Sequence, residues 1–249
     1  MIKLLCTFLL MHSSVACGDE SSINLIGGIP VKPGEYKEVV RITDGRGACT
    51  AVVVAPRVLL TAAHCVERGT AEFQGYDRKI YSAMCAIAPG YQRKVGDQDL
   101  AACILDKDHP PPYATVSHVG PVLGEEVMLM GYGCVQEGGG GGNDGILRKG
   151  IATVVKVPEG ENYSFYTHGA SALCFGDSGG PSFLITDAGH ILIGVNSRGD
   201  IRALSLMTAL YHQDTLKFLR AFEEASSYKI CGLGAVCGYL EKKPDGCFY

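Results

Sequence analysis

The sequence carries no surplus of positive charge: 22 Lys and Arg face 26 Asp and Glu, for a formal net charge of −4. That balance gives no case for binding nucleic acid or an anionic membrane surface. Beyond the amino-terminal residues, no stretch reaches the roughly 18 apolar residues that span a bilayer. No internal repeat occurs, and the only low-complexity run is Gly138 to Gly142, followed by Asn143-Asp144-Gly145, which reads as a flexible surface loop. The segment from Glu67 to Tyr81 lacks a dense carboxylate cluster, so it offers no calcium loop, and no metal or cofactor is expected. What is present suits a folded extracytoplasmic protein. With 249 residues and 47% hydrophobic content, the chain can form one larger all-β domain or two small ones. Its 11 cysteines point to an oxidising compartment.

Met1-Ile2-Lys3 and the apolar Leu4 to Met11 read as a signal peptide over residues 1–16, excluded from the fold. Two cleavages compete. Ser14-Val15-Ala16 fits an ordinary small-x-small site, while Cys17 directly after it also resembles a bacterial lipobox, with Ser14 where Leu is usual. In the second case Cys17 is lipidated, and that lipid is the protein's one tie to a membrane. Residues 17–24 form a short polar tether or propeptide. The expected location is secreted or cell-envelope.

Four strings then stand out. Cys174-Phe175-Gly176-Asp177-Ser178-Gly179-Gly180-Pro181 sets a serine on a glycine-rich turn, where its hydroxyl and neighbouring N–H groups can face a substrate oxygen. Thr61-Ala62-Ala63-His64-Cys65 follows two β-branched, apolar runs, Ala48 to Val54 and Arg57 to Thr61, that read as a hairpin. Asp99-Leu100-Ala101-Ala102-Cys103-Ile104-Leu105 begins an apolar strand with an acid, and Asp97 two residues earlier reads as a turn residue. Leu25-Ile26-Gly27-Gly28 precedes Pro33-Gly34-Glu35-Tyr36. Together these strings, over roughly Leu25 to Ala225, resemble the chymotrypsin-like (trypsin-fold) serine proteases, and a bacterial secreted or lipoprotein member of them.

The resemblance implies an all-β fold of two six-stranded antiparallel Greek-key β-barrels with a short C-terminal α-helix. The domain runs over residues 25–226, with an inter-barrel linker at about 107–121, where His109-Pro110-Pro111-Pro112 cannot continue a helix or a central strand. His212 to Ala225 has the apolar spacing of the terminal helix. The implied catalytic residues are His64 as general base, Asp99 as its orienting acid and Ser178 as nucleophile, with Gly176 and Ser178 as the oxyanion-hole donors. Because histidine must be neutral to act as a base, activity is expected to rise through about pH 6 to 7. In the family, a cut before the first residue of the Leu25 string frees an amine that pairs with the acid before the nucleophile, here Leu25 and Asp177. The protein is therefore expected to be a zymogen activated by another protease. Cys49 and Cys65 match the disulfide flanking the family's histidine; Cys85 with Cys103 and Cys134 with Cys174 are further candidate pairs. The tail, residues 227–249, holds Cys231, Cys237 and Cys247 and reads as a stapled appendix. Nine cysteines follow Cys17, so one of them stays free or pairs outside the chain if Cys17 is lipidated.

Substrate-binding positions carried over are Ala172, Ser197, Arg198, Gly199 and Ser205. The family's Trp positions hold Tyr132 and Arg198 here. Ala172 stands where an Asp selects Lys or Arg, so trypsin-like preference loses its electrostatic basis. Small or medium apolar side chains become the first expectation, with Arg198 or Arg202 able to favour acidic residues and Asp200 able to rescue basic ones. The expected partners are peptide or protein substrates, and the expected state is a monomer. Two other classes remain: an α/β-hydrolase esterase, whose acid and histidine follow the serine (His190 and His212 are available), and a protease-like binding protein without catalysis.

Overall fold

The computed structural model describes residues 25–141, 144–187, 189–235 and 237. The signal peptide, the tether with Cys17, and Cys247 lie outside the described residues. The strands are β1 (Ile29–Pro30), β2 (Val39–Thr43), β3 (Ala48–Ala55), β4 (Val58–Thr61), β5 (Thr70–Gln74), β6 (Ile80–Ile87), β7 (Ala101–Leu105), β8 (Glu126–Gly131), β9 (Arg148–Lys156), β10 (Ser164–His168), β11 (Pro181–Thr186), β12 (Gly189–Gly199) and β13 (Leu204–Ala209). One helix, α1 (Gln213–Ser226), follows them.

β2 to β7 close a barrel in the order β2-β3-β4-β7-β6-β5. β8 to β13 repeat that order, β8-β9-β10-β13-β12-β11, and close because β8 pairs with both β9 and β11; β1 adds to an edge of β9. In each barrel three strands pair in succession and the chain then crosses to the far side, which is the Greek-key connection. The ladders are antiparallel, so the parallel sheet of an α/β-hydrolase is excluded.

The burial pattern explains why the strand strings look as they do. β3 from Thr50 onward and all of β4 are buried on both faces, and they read as nearly unbroken apolar runs. β5 alternates, with Ala71 and Phe73 inward, because its other face meets solvent. The first-barrel core, which includes Val52, Leu59, Leu60, Tyr81 and Leu105, is continuous with Phe183, Leu192 and Val195 of the second barrel. A smaller core around Val127, Leu129, Phe165 and Ile193 fills the second barrel. The His64, Asp99 and Ser178 strings therefore sit at the ends of strands that meet along one packed seam.

Among the described residues four disulfides form: Cys49–Cys65, Cys85–Cys103, Cys134–Cys174 and Cys231–Cys237. In the chain-entropy model the first contributes about 3 kcal/mol. Cys85 and Cys103 face each other across the β6–β7 ladder. The linker from Lys107 to Pro121 has no strand of its own, and Val116 within it makes an isolated bridge to Leu192. The expected staple is present as Cys231–Cys237, and the start of the tail packs into the fold. Ile230 and Cys231 are fully buried in the first-barrel core, where Cys231 N donates to Val54 O (3.0 Å) and Val116 N to Cys231 O (2.8 Å). Glu223, buried on α1, accepts from Ile230 N at 2.6 Å.

Glu223→Ala strands that buried N–H. It is expected to lower unfolding free energy by about 1–3 kcal/mol, read by urea denaturation, and to speed amide exchange at Ile230 and Cys231.

Candidate active site

β4 runs into a single 3-10 turn, Ala63–Cys65, which the Cys49–Cys65 bond ties back to β3. That turn presents His64. Its backbone N–H donates to Asp99 Oδ1 (3.1 Å), and its ring Nδ1 lies 2.7 Å from Asp99 Oδ2. Asp99 is fully buried just before β7. Burial pushes its carboxyl up, but the hydrogen bonds and charge of His64, with the Ser197 hydroxyl, outweigh this and hold it below the usual carboxylate value. Ser197 Oγ donates to Asp99 Oδ2 at 2.5 Å. Arg198 Nε donates to Ser197 Oγ (3.1 Å), which leaves the hydroxyl hydrogen for Asp99. Asp97 is the expected turn residue: its Oδ2 accepts from Gln92 N and Lys94 N. It is also buried, and its Oδ1 takes the Arg198 guanidinium at 3.3 Å.

Ser178 sits opposite, on the turn before β11. Its hydroxyl donates to Ser197 O at 3.2 Å. Four successive carbonyls around it are anchored. Phe175 O accepts from Cys134 N (2.8 Å), and Gly176 O from Thr50 Oγ1 (2.8 Å). Asp177 O accepts from Gly180 N (3.0 Å), and Ser178 O from Thr50 N (2.8 Å). In a trans peptide the N–H points opposite to the C=O. The N–H groups of Gly176 and Ser178 are thus turned away from those anchors and donate to no described residue. Gly176 has φ 102°, and a Cβ there would lie 2.9 Å from Gly133 Cα. Gly179, at φ 83°, would drive a Cβ to 2.1 Å from Thr61 Oγ1, so the turn tolerates only glycine at the seam between barrels.

Asp177 points inward and is completely buried. Burial raises its carboxyl to about 7, although the backbone N–H groups of Cys174 and Gly133 (2.8 Å each) pull it down. Leu25 buries its side chain in the second-barrel core, and Ile26 O accepts from Ala172 N (2.9 Å). No bond joins Leu25 to Asp177 among the described residues.

A cleft of about 600 Å³ runs past His64 and Ser178. Ser197, Arg198 and Gly199 line it, together with Leu173, Phe175, Ile201, Tyr91 and Arg93. Ala172 and Ser205 lie beneath this lining. Ala172 packs with Ile26, Cys134, Cys174 and Ile201, while buried Ser205 accepts from Leu173 N through Oγ (2.9 Å). Two charges proposed for selectivity are already engaged. Arg198 is held by Asp97 and Asp99, and Asp200 Oδ1 accepts from the N–H groups of Arg202, Ala203 and Leu204 (2.9 Å each). The described part of the glycine loop lies at the surface, where Gly138 N donates to Ile201 O (3.2 Å) and Gly139 abuts the Phe175 ring.

Cys49, His64 and Cys65 approach closely enough to hold an ion, but both sulfurs are spent in a disulfide and offer no thiolate. The alternative histidines are structural. His190 packs edge-on against Phe183, and His212 caps α1 by accepting from Asp214 N. Sequence reading missed Thr50, whose hydroxyl bridges Tyr132 N and Gly176 O, and the Asp97–Arg198 link. No local pattern marks either, because each depends on contacts between distant segments.

A family model described as Trypsin matches residues 25–212. A "Trypsin-like protease" of Streptomyces glaucescens is 28% identical over 221 residues, covering 79% of this chain and 81% of that protein. "Serine protease SP24D" of Anopheles gambiae is 26% identical over 188 residues, covering 64% of this chain and 67% of that protein. "Transmembrane protease serine 9" of Rattus norvegicus is 27% identical over 214 residues, 69% of this chain but 20% of that longer protein. The histidine, acid and glycine-set serine that meet at the barrel seam thus lie within the matched span, and the chain belongs to the trypsin family, as a serine-type endopeptidase acting on peptide or protein substrates.

Proposed function

We propose that this protein is an exported endopeptidase working through His64, Asp99 and Ser178, made as a precursor and activated by a cut between Asn24 and Leu25. The two-point hold of Asp99 on His64, with Ser178 across the cleft, is the observation that carries this reading. The roles follow the family's triad. Ser178 rotates from Ser197 O toward His64 Nε2 and attacks the scissile carbonyl, since hydroxyl geometry without substrate is often off-line. His64 takes the proton and returns it to the leaving amine. Asp99 fixes the tautomer and stabilises the imidazolium, while Gly176 N–H and Ser178 N–H receive the oxyanion. Wild-type protein is expected to react with a fluorophosphonate, and Ser178→Ala to lose both labelling and at least about 10⁴-fold in kcat while melting normally. Substantial turnover by that variant would refute the assignment, and absence of labelling in the wild type would favour a non-catalytic binding protein.

The activation step follows from the buried acid. In the uncut chain burial raises the folded pKa of Asp177 to about 7, above the ordinary value of 3.8. The folded state then binds more protons between those values. The acid's contribution is fully present below about pH 4 and is lost as pH rises through 7. A freed Leu25 amine supplies the counter-charge and reverses this cost. Its own support holds below about pH 8 and fades as pH passes its raised folded value. In the uncut chain, Asp177→Asn is expected to flatten the stability loss between pH 4 and 7; in the cut chain it is expected to abolish activity. Urea melts across that range, paired with assays on protein of sequenced amino terminus, test both. Full activity with Asn24 still attached would overturn the zymogen reading.

For specificity, the apolar packing at Ala172 and the inward use of Arg198 and Asp200 support small or medium apolar residues before the cut. A panel of chromogenic peptides differing only at that residue is expected to give Ala, Val or Leu a kcat/KM at least about tenfold above Lys, Arg, Asp and Glu, because a buried unpaired charge costs more than 1.4 kcal/mol. Equal rates for a Lys peptide would contradict it.

A further inference from the structure

The Phe175–Gly176 peptide must keep its N–H toward the cleft, yet little on its own segment holds it there. Phe175 is 63% exposed, so packing of its ring against the core cannot set the peptide plane. Gly176 has no side chain and sits at positive φ, where rotation of the flanking peptide is least hindered. The carbonyl of this peptide, Phe175 O, accepts across the loop from Cys134 N (2.8 Å). Cys134 is bonded covalently to Cys174, the residue immediately before Phe175, across a sequence separation of 40. Asp177 completes the frame, since its two oxygens accept from Gly133 N and Cys174 N, the backbone groups beside that bond. Both sulfurs are buried among Ile26, Ala172 and Ile201. A flip of the peptide would turn its N–H onto Cys134 N, donor against donor, in this buried frame. The frame is complete although Asp177 has no ion-pair partner among the described residues.

We propose that the Cys134–Cys174 disulfide is a positioning device for the oxyanion hole: by fixing Cys134 N against Phe175 O, it holds the Gly176 N–H where the developing oxyanion forms. The inference rests on Ser178 as nucleophile, which fluorophosphonate labelling of the wild type tests by itself. The bond acts on the transition state more than on the bound substrate, because the donor strengthens only as negative charge grows on the oxygen.

The test compares the full, activated chain with Cys134→Ser/Cys174→Ser and, as a control, with Cys231→Ser/Cys237→Ser, whose bond lies in the tail away from the cleft. Loss of the first bond is expected to lower kcat about 10²- to 10³-fold, the loss typical of one oxyanion donor, with KM within about threefold. The affinity of a tetrahedral peptide boronate should fall in parallel. The control is expected to keep kcat and boronate affinity at wild-type level. Where the buried serines impair folding, Cys134→Ala/Cys174→Val retains the apolar packing and is read in the same way. A kcat within threefold of wild type in a verified bond-free variant would overturn the proposal. So would a rise in KM that accounts for the whole loss, or global unfolding of both variants, which would assign the bond to the fold and not to the hole.

Discussion

The site depends on one buried carboxylate at the seam between two barrels. Asp99 lies out of water, and its oxygens are met by His64 N, His64 Nδ1 and Ser197 Oγ, while its backbone oxygen accepts from Thr208 Oγ1. These donors come from the turn after β4, from β12 and from β13, so the charge can be satisfied only when both barrels are folded and docked. A buried charge left unmet costs several kcal/mol. The same condition that makes the acid tolerable therefore also places the imidazole.

Asp177 presents the opposite case. It is as deeply buried, but its described donors are two backbone N–H groups, and its carboxyl rises to about 7 where that of Asp99 falls. The charge of Asp99 is met by the fold itself; that of Asp177 is met by two backbone N–H groups and, more weakly, by the charge of Arg148. Two carboxylates in similar burial thus differ because of the donors around them. That difference is what the proposed activation step rests on.

The charges near the cleft are turned inward. Arg198 reaches Asp97 and Asp99, and Asp97 in turn caps the loop that carries Tyr91 and Arg93 into the cleft wall. Asp200 folds its own short loop through three N–H groups. Beneath them, Ala172 is sealed by Ile26, Ile201 and the Cys134–Cys174 bond. The base of the cleft at Ala172 is therefore apolar, and the charges near it are engaged within the fold.

The strings around His64, Asp99 and Ser178 were legible in the sequence because each is local: a strand end, a strand start and a glycine turn have fixed spacings and residue types. The same holds for the α1 periodicity and for the alternation of β5. Residue order alone was enough to single out these three strings and to tie each to the end or start of a β-strand. What those residues meet emerged from the packing of the two barrels. Thr50 under the serine loop, Arg198 drawn onto Asp97, Ile230 and Cys231 buried in the first barrel, and Cys134 clamped beside Gly176 all join segments far apart in the chain. Such contacts leave no periodic trace, because they are set by the docking of one closed barrel against another and not by the local backbone.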